Sequence, residues 1–128
     1  MDARSESSLE DVHPDLVRIL RAAAARSGDP FIVIHGLRTP EEERELVGKG
    51  ASRTLHSRHL PGRDGLACAV DVAALVHGHV SWQAAPYGRI AEAVKAAAHE
   101  LGLPIEWGGD WRTLKDLGHF QLPWSRYP

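Results

Sequence analysis

The sequence predicts an α+β fold: one small domain in which helices pack against a single antiparallel sheet. Three observations carry that expectation. The chain has 128 residues, the length of one ordinary domain. With 43% hydrophobic and 25% charged residues it has the composition of a globular core and not of a disordered segment. Its periodic segments run helix, strand, helix, strand, helix, strand, strand, with no internal repeat and no linker.

Residues 1–12 are acidic and serine-rich and read as a flexible lead-in, which leaves residues 13–128 for the folded domain. From Pro14, the apolar positions Leu16, Val17, Ile19, Leu20, Ala23 and Ala24 have helical spacing, with proline suited to the first turn and Gly28 to the stop. Phe31 to His35 is a β-branched run between Asp29-Pro30 and Gly36, hence a strand. Thr39-Pro40-Glu41-Glu42 has the pattern of a capping box and opens a short acidic helix to about Val47, closed by Gly48-Lys49-Gly50. Residues 50–65 lack periodicity and read as a long loop, a form that in compact domains usually serves function. Leu66, Cys68, Val70 and Val72 alternate with Ala67, Ala69, Asp71 and Ala73, which predicts a strand with Asp71 on its small-residue face. Gly78 suits a turn, and Tyr87, Ile90, Ala91, Val94, Ala97, Ala98 and Leu101 predict a second amphipathic helix stopped by Gly102. Pro104 to Trp107 is a brief strand. Gly118 to Leu122 is the last, with His119 and Gln121 on one face and Phe120 and Leu122 on the other.

Composition excludes several function classes. A net charge of −2 gives no general attraction to a phosphate backbone, so no nucleic-acid partner is expected. The apolar runs fall far short of the roughly 20 residues that span a bilayer, so no stable membrane association is expected. The first residues carry no apolar stretch, which predicts synthesis in the cytoplasm without a signal peptide. The single cysteine, Cys68, lies inside an apolar run and reads as packing. Eight histidines and four tryptophans are many for this length, and several crowd into two short segments.

Those segments carry the candidate chemistry. Ser57-Arg58-His59 ends the long loop just before the strand that holds Asp71, and His119 lies on another strand. Two imidazoles and one carboxylate are the ligand count of a catalytic zinc site with a fourth position left for water, whereas structural sites use four ligands rich in cysteine. Asp116, three residues before His119, is placed to lie beside a metal as a general base, a role that Asp110 or Glu106 could also fill. Arg38, read from its neighbours, can pair with Glu41 or Glu42 on the surface. His35, His56, His77, His79 and His99 read as bystanders, Trp82 and Trp124 as packing, and Trp107 and Trp111 as either sheet floor or cleft wall.

Together, Ser57-Arg58-His59, Ala69-Val70-Asp71, Trp107-Gly108-Gly109-Asp110-Trp111 and Asp116-Leu117-Gly118-His119-Phe120 resemble the LAS-type zinc peptidases. These are the D-alanyl-D-alanine peptidases and, more closely, the phage L-alanyl-D-glutamate endopeptidase endolysins. The resemblance runs from about Gly36 to Pro128. It implies one Zn2+ held by His59, Asp71 and His119, an acid/base role for Asp116, Arg38 facing the carbonyl under attack, and Ser57 lining the substrate site. The family spaces its aspartate about seven positions after the first histidine, and here the interval is twelve, so Leu60 to Gly65 look like an insertion. The expected activity is hydrolysis of the peptidoglycan stem peptide between L-alanine and D-glutamate by a monomer. The enzyme would be used by a phage or prophage and released through holin-type membrane lesions. The competing expectations are a D-alanyl-D-alanine carboxypeptidase or dipeptidase and a non-catalytic zinc-stabilised binding module.

Overall fold

A computed structural model describes residues 1–48, 57–62, 64–113 and 115–128. The order is α1 (Ala3–Ser8), α2 (Pro14–Arg26), β1 (Phe31–His35), α3 (Pro40–Gly48), β2 (Ala69–Val76), β3 (His79–Ser81), α4 (Ala84–Leu101), β4 (Glu106–Trp107) and β5 (His119–Gln121), with a 3-10 turn at Gly108–Asp110. All strand pairs are antiparallel, as the alternation of the sequence predicts. The expected stop at Lys49-Gly50, most of the long loop and His56 lie outside the described residues.

The eight-residue β2 is the centre of the sheet. One edge carries β1, and the other carries β5 beside Ala69–Asp71 and β3 beside Ala74–Val76. β4 completes the sheet beyond β5. Alternation sorts the side chains. Val70, Val72 and Ala74 of β2 and Phe120 of β5 enter the core with Leu16, Ile19 and Leu20 of α2 and Ile90, Val94 and Ala97 of α4. Asp71, His119 and Gln121 therefore point to the face away from that core.

Four expectations need correction. Residues 1–12 are not a flexible lead-in. Asp2 caps α1, the Ser5 hydroxyl accepts the Val33 amide at 3.0 Å, and Leu9 and Val12 are buried in the core. The strand expected from Leu66 begins at Ala69, because Ala67 instead bonds backbone to backbone with Asp11 and His13, and the Cys68 amide goes to the Arg58 carbonyl. β3 was not expected. His77 (φ 52°) and Gly78 (φ 79°) form a two-residue turn in which both residues are left-handed, the geometry that matches hairpin twist. The Thr39 capping box is present: its hydroxyl accepts the Glu42 amide at 3.1 Å, and Glu42 accepts the Thr39 amide at 3.4 Å. Cys68 is buried, and that burial pushes its thiol pKa up, in line with a packing role. Trp82, expected to pack, is 68% exposed and stacks on Tyr87.

Candidate metal centre

Register builds the site. Asp71 sits directly between His35 on β1 and His119 on β5, so three adjacent strands present a His–Asp–His row on one face. His59 comes from the loop after α3 and is set by backbone. Its carbonyl accepts the Arg38 amide at 2.8 Å, its amide donates to Ser57 Oγ at 3.1 Å, and its Nδ1 lies 2.8 Å from the Gly36 carbonyl. That carbonyl can only accept, so Nδ1 carries a hydrogen and Nε2 is the nitrogen turned toward Asp71 and the site.

His59 Nε2 lies 3.2 Å from Asp71 Oδ2, and His119 Nδ1 lies 3.2 Å from Asp71 Oδ1. One ligand atom from each of His59, Asp71 and His119 falls within 4.8 Å of the others. A tetrahedron with metal–ligand bonds of about 2.0 Å has edges of about 3.3 Å, so the donor set and its spacing fit a divalent zinc ion. The site is closed on one side: His59 is 2% exposed and its ring meets that of His119 edge-on at 5.2 Å, while Trp111 lies 5.1 Å from His119.

The electrostatics centre on Asp71. Burial opposes its ionisation, but hydrogen bonds from His119, His35 and His59 outweigh that penalty and hold the carboxyl well below its ordinary range. Burial likewise disfavours charge on His119, yet the Asp71 contact and charge prevail and raise its pKa. Asp116 moves the other way from Asp71: burial and the Asp71 charge raise its pKa against the pull of His119. Asp116 is fixed by its amide, which donates to the Gly108 carbonyl at 3.1 Å. A side chain on Gly108 would strike Asp116 and His119, so glycine is required for this approach.

The structure thus brings together His59, Asp71 and His119 with Asp116 and Arg38, whose Nη2 is 3.2 Å from Asp71 Oδ2. It separates the rival carboxylates: Asp110 pairs with Lys95 at 2.6 Å, and Glu106 faces Gln121. Ser57 is placed differently from expectation. Besides bonding His59, it lines a cavity of about 660 Å³ with Arg58, Leu60, Pro61, Asp64 and Trp124, and none of the three candidate ligands is among its described walls. Sequence reasoning missed two groups. His35, taken as a bystander, puts Nδ1 3.3 Å from Asp71 Oδ2, and Gln121 accepts from or donates to His119 Nε2 at 2.8 Å. The shared strand face of His119 and Gln121 was the available signal for the second.

An antiparallel sheet with this triad on its open face is the arrangement that the resemblance to the LAS-type peptidases implies. Comparison with known proteins agrees. The family model described as phage L-alanyl-D-glutamate peptidase matches residues 1–120, and the chain belongs to that family. It is 51% identical to the Serratia marcescens L-Ala D-Glu endopeptidase ChiX, covering 100% of this chain and 92% of that one with a TM-score of 0.90. It is 28% identical to the L-alanyl-D-glutamate peptidase of Escherichia phage T5 over 116 residues, 88% of this chain and 81% of that protein. The vancomycin-resistance D,D-dipeptidase VanXYg shares the fold at a TM-score of 0.50 and 14% identity, with 87% of this chain and 50% of that chain covered.

Proposed function

We propose that this chain is a zinc-dependent endopeptidase that hydrolyses the L-alanyl-D-glutamate bond of the peptidoglycan stem peptide. The observation that carries the reading is the donor set of His59, Asp71 and His119, held at zinc-like spacing on the open face of the sheet. The bond named for its relatives supports the choice of substrate. Zinc at these three residues would polarise the scissile carbonyl and make water a usable nucleophile near neutral pH. Asp116 takes the proton from the attacking water and returns it to the leaving amine, a role that suits a carboxyl whose pKa lies above the ordinary value. Arg38, with its guanidinium at the edge of the same cluster, steadies the negative charge that develops on the carbonyl oxygen.

The same proposal gives the enzyme an endolysin role: made in the cytoplasm and released to the wall through lesions formed by another protein. Among the described residues no helix is long and apolar enough to cross a membrane, which is compatible with that route. The test is mass spectrometry of muropeptides after digestion of purified peptidoglycan, with and without a chelator. New C-terminal L-alanine and N-terminal D-glutamate, lost on chelation and regained with zinc, are expected. Release of D-alanine instead would assign a D-alanyl-D-alanine peptidase, and no new termini under any condition would assign a binding module.

A further inference from the structure

His119 is a ring with two choices. Its Nδ1 faces Asp71 and the candidate metal position, and its Nε2 faces Gln121 Oε1 at 2.8 Å. His119 and Gln121 are each only 7% exposed, so bulk water has little access to substitute for that contact. The amide of Gln121 could in principle present either its oxygen or its NH2 to the ring. What breaks the tie is the next strand. Glu106 is the register partner of Gln121 across β4 and β5, and its Oε2 lies 3.5 Å from Gln121 Nε2. An ionised carboxylate only accepts, so the NH2 turns to Glu106 and the carbonyl oxygen turns to the ring. The oxygen in turn takes a hydrogen from Nε2, so a ring with one hydrogen keeps its Nδ1 lone pair for a metal, and a second hydrogen, when present, is donated from Nδ1 to Asp71.

We propose that Glu106 and Gln121 form a positioning relay that fixes His119 as an Nδ1 ligand, a role distinct from the acid/base function for which Glu106 was a candidate. The inference rests on the zinc reading above and deepens it. Partners of this kind set the tautomer and orientation of a ligating imidazole, and their loss typically weakens metal affinity about 10- to 100-fold. The relay parallels the arrangement at His59, where the Gly36 carbonyl takes the ring hydrogen. The two imidazoles therefore offer opposite nitrogens, each chosen by an acceptor behind it.

The test measures zinc affinity by competition with a chromophoric chelator, together with the nitrogen-15 NMR signal of the His119 ring N–H. Gln121→Leu should weaken zinc binding about 10- to 100-fold and remove the exchange-protected ring N–H. The swap Glu106→Gln with Gln121→Glu should restore both, since an acceptor again faces Nε2, and a purely structural role would not separate the swap from leucine. Glu106→Leu is the second variant, and serves if Gln121→Leu does not fold: the freed amide turns and the ring N–H loses protection although Gln121 is intact. Wild-type affinity and a protected ring N–H in a folded Gln121→Leu or Glu106→Leu protein would overturn the relay. If the wild-type protein bound no zinc, the zinc reading would fail, while the ring signal would still decide the relay.

Discussion

Replacing Asp116 with asparagine isolates the proton-transfer step from the metal. The amide has nearly the shape of the carboxylate, and the backbone contact that holds residue 116, its amide to the Gly108 carbonyl at 3.1 Å, does not involve the side chain. Fold and metal content should therefore persist. Loss of a general base costs about 10²- to 10⁴-fold in rate, or about 2.7 to 5.5 kcal/mol of barrier. The structure argues for the middle of that span, about 10³-fold, for two opposed reasons. Asp110 and Glu106 are engaged by Lys95 and Gln121 and offer no replacement carboxylate, while the exposed position of residue 116 lets solvent supply part of the proton transfer. Although residue 116 reaches solvent, the protein crowded around its carboxyl is the largest cause of the raised pKa, so the acidic limb of kcat/KM should lie above the ordinary carboxylate range. As a base it works only when ionised, so activity falls as pH drops through that raised value, and the limb should vanish in Asp116→Asn. The assay is muropeptide release against pH, with zinc measured on the same samples. Near wild-type turnover with an unchanged acidic limb would refute the assignment.

His59→Ala and His119→Ala should each lose stoichiometric zinc by elemental analysis, and full metal content in both would remove the site. Phe120, wholly buried between the two site residues of β5, should cost about 3 to 5 kcal/mol of stability as Phe120→Ala, read by denaturant unfolding. Tyr127 donates to Asp15 at 2.7 Å, and burial together with Asp15 raises its pKa from 10.0 to about 12. The folded state thus prefers the neutral phenol, so the stability difference between wild type and Tyr127→Phe should be constant below pH 10 and shrink between about pH 10 and 12. Deleting Pro61 to Gly65 should leave zinc affinity nearly unchanged and alter KM, because the excursion is closed at its base by the Cys68 amide on the Arg58 carbonyl at 3.0 Å. Zinc loss with an intact fold in that deletion would show that the loop holds His59.

Legibility in the sequence followed the kind of force at each position. The two long helices were readable because burial alone places them: Leu16, Ile19 and Leu20 of α2 and Ile90, Val94 and Ala97 of α4 recur at helical spacing and all reach the core. α1 was not, since its anchoring residue Ser5 is held by a hydroxyl bond to the Val33 amide, which no hydrophobic pattern reports. The start of β2 was misplaced because Leu66 to Cys68 alternate like a strand while their amides bond elsewhere. The three candidate ligands were legible through their motifs. His35 was hidden because a register shift between Val33 and His35 delivers it opposite Asp71, and the contact of Gln121 with Glu106 because it forms across a strand pair.

The same division explains why a metal here would serve chemistry and not folding. The core lies on one face of the sheet and the site on the other, joined by β2 and β5, whose alternate residues serve both. Without a metal, Asp71 is already satisfied by His59, His119, His35 and Arg38, so its buried charge is paired and the strands lose no partner. A structural zinc site is the reverse case, in which unpaired ligands and a thin core make the ion the source of folding free energy. Here the ligands are pre-arranged by register, by the Gly36 carbonyl behind His59 and by Gln121 behind His119. An entering ion would only have to take over the contacts that the two imidazoles make to one carboxylate, while His35 and Arg38 stay beside Asp71 at the edge of the site.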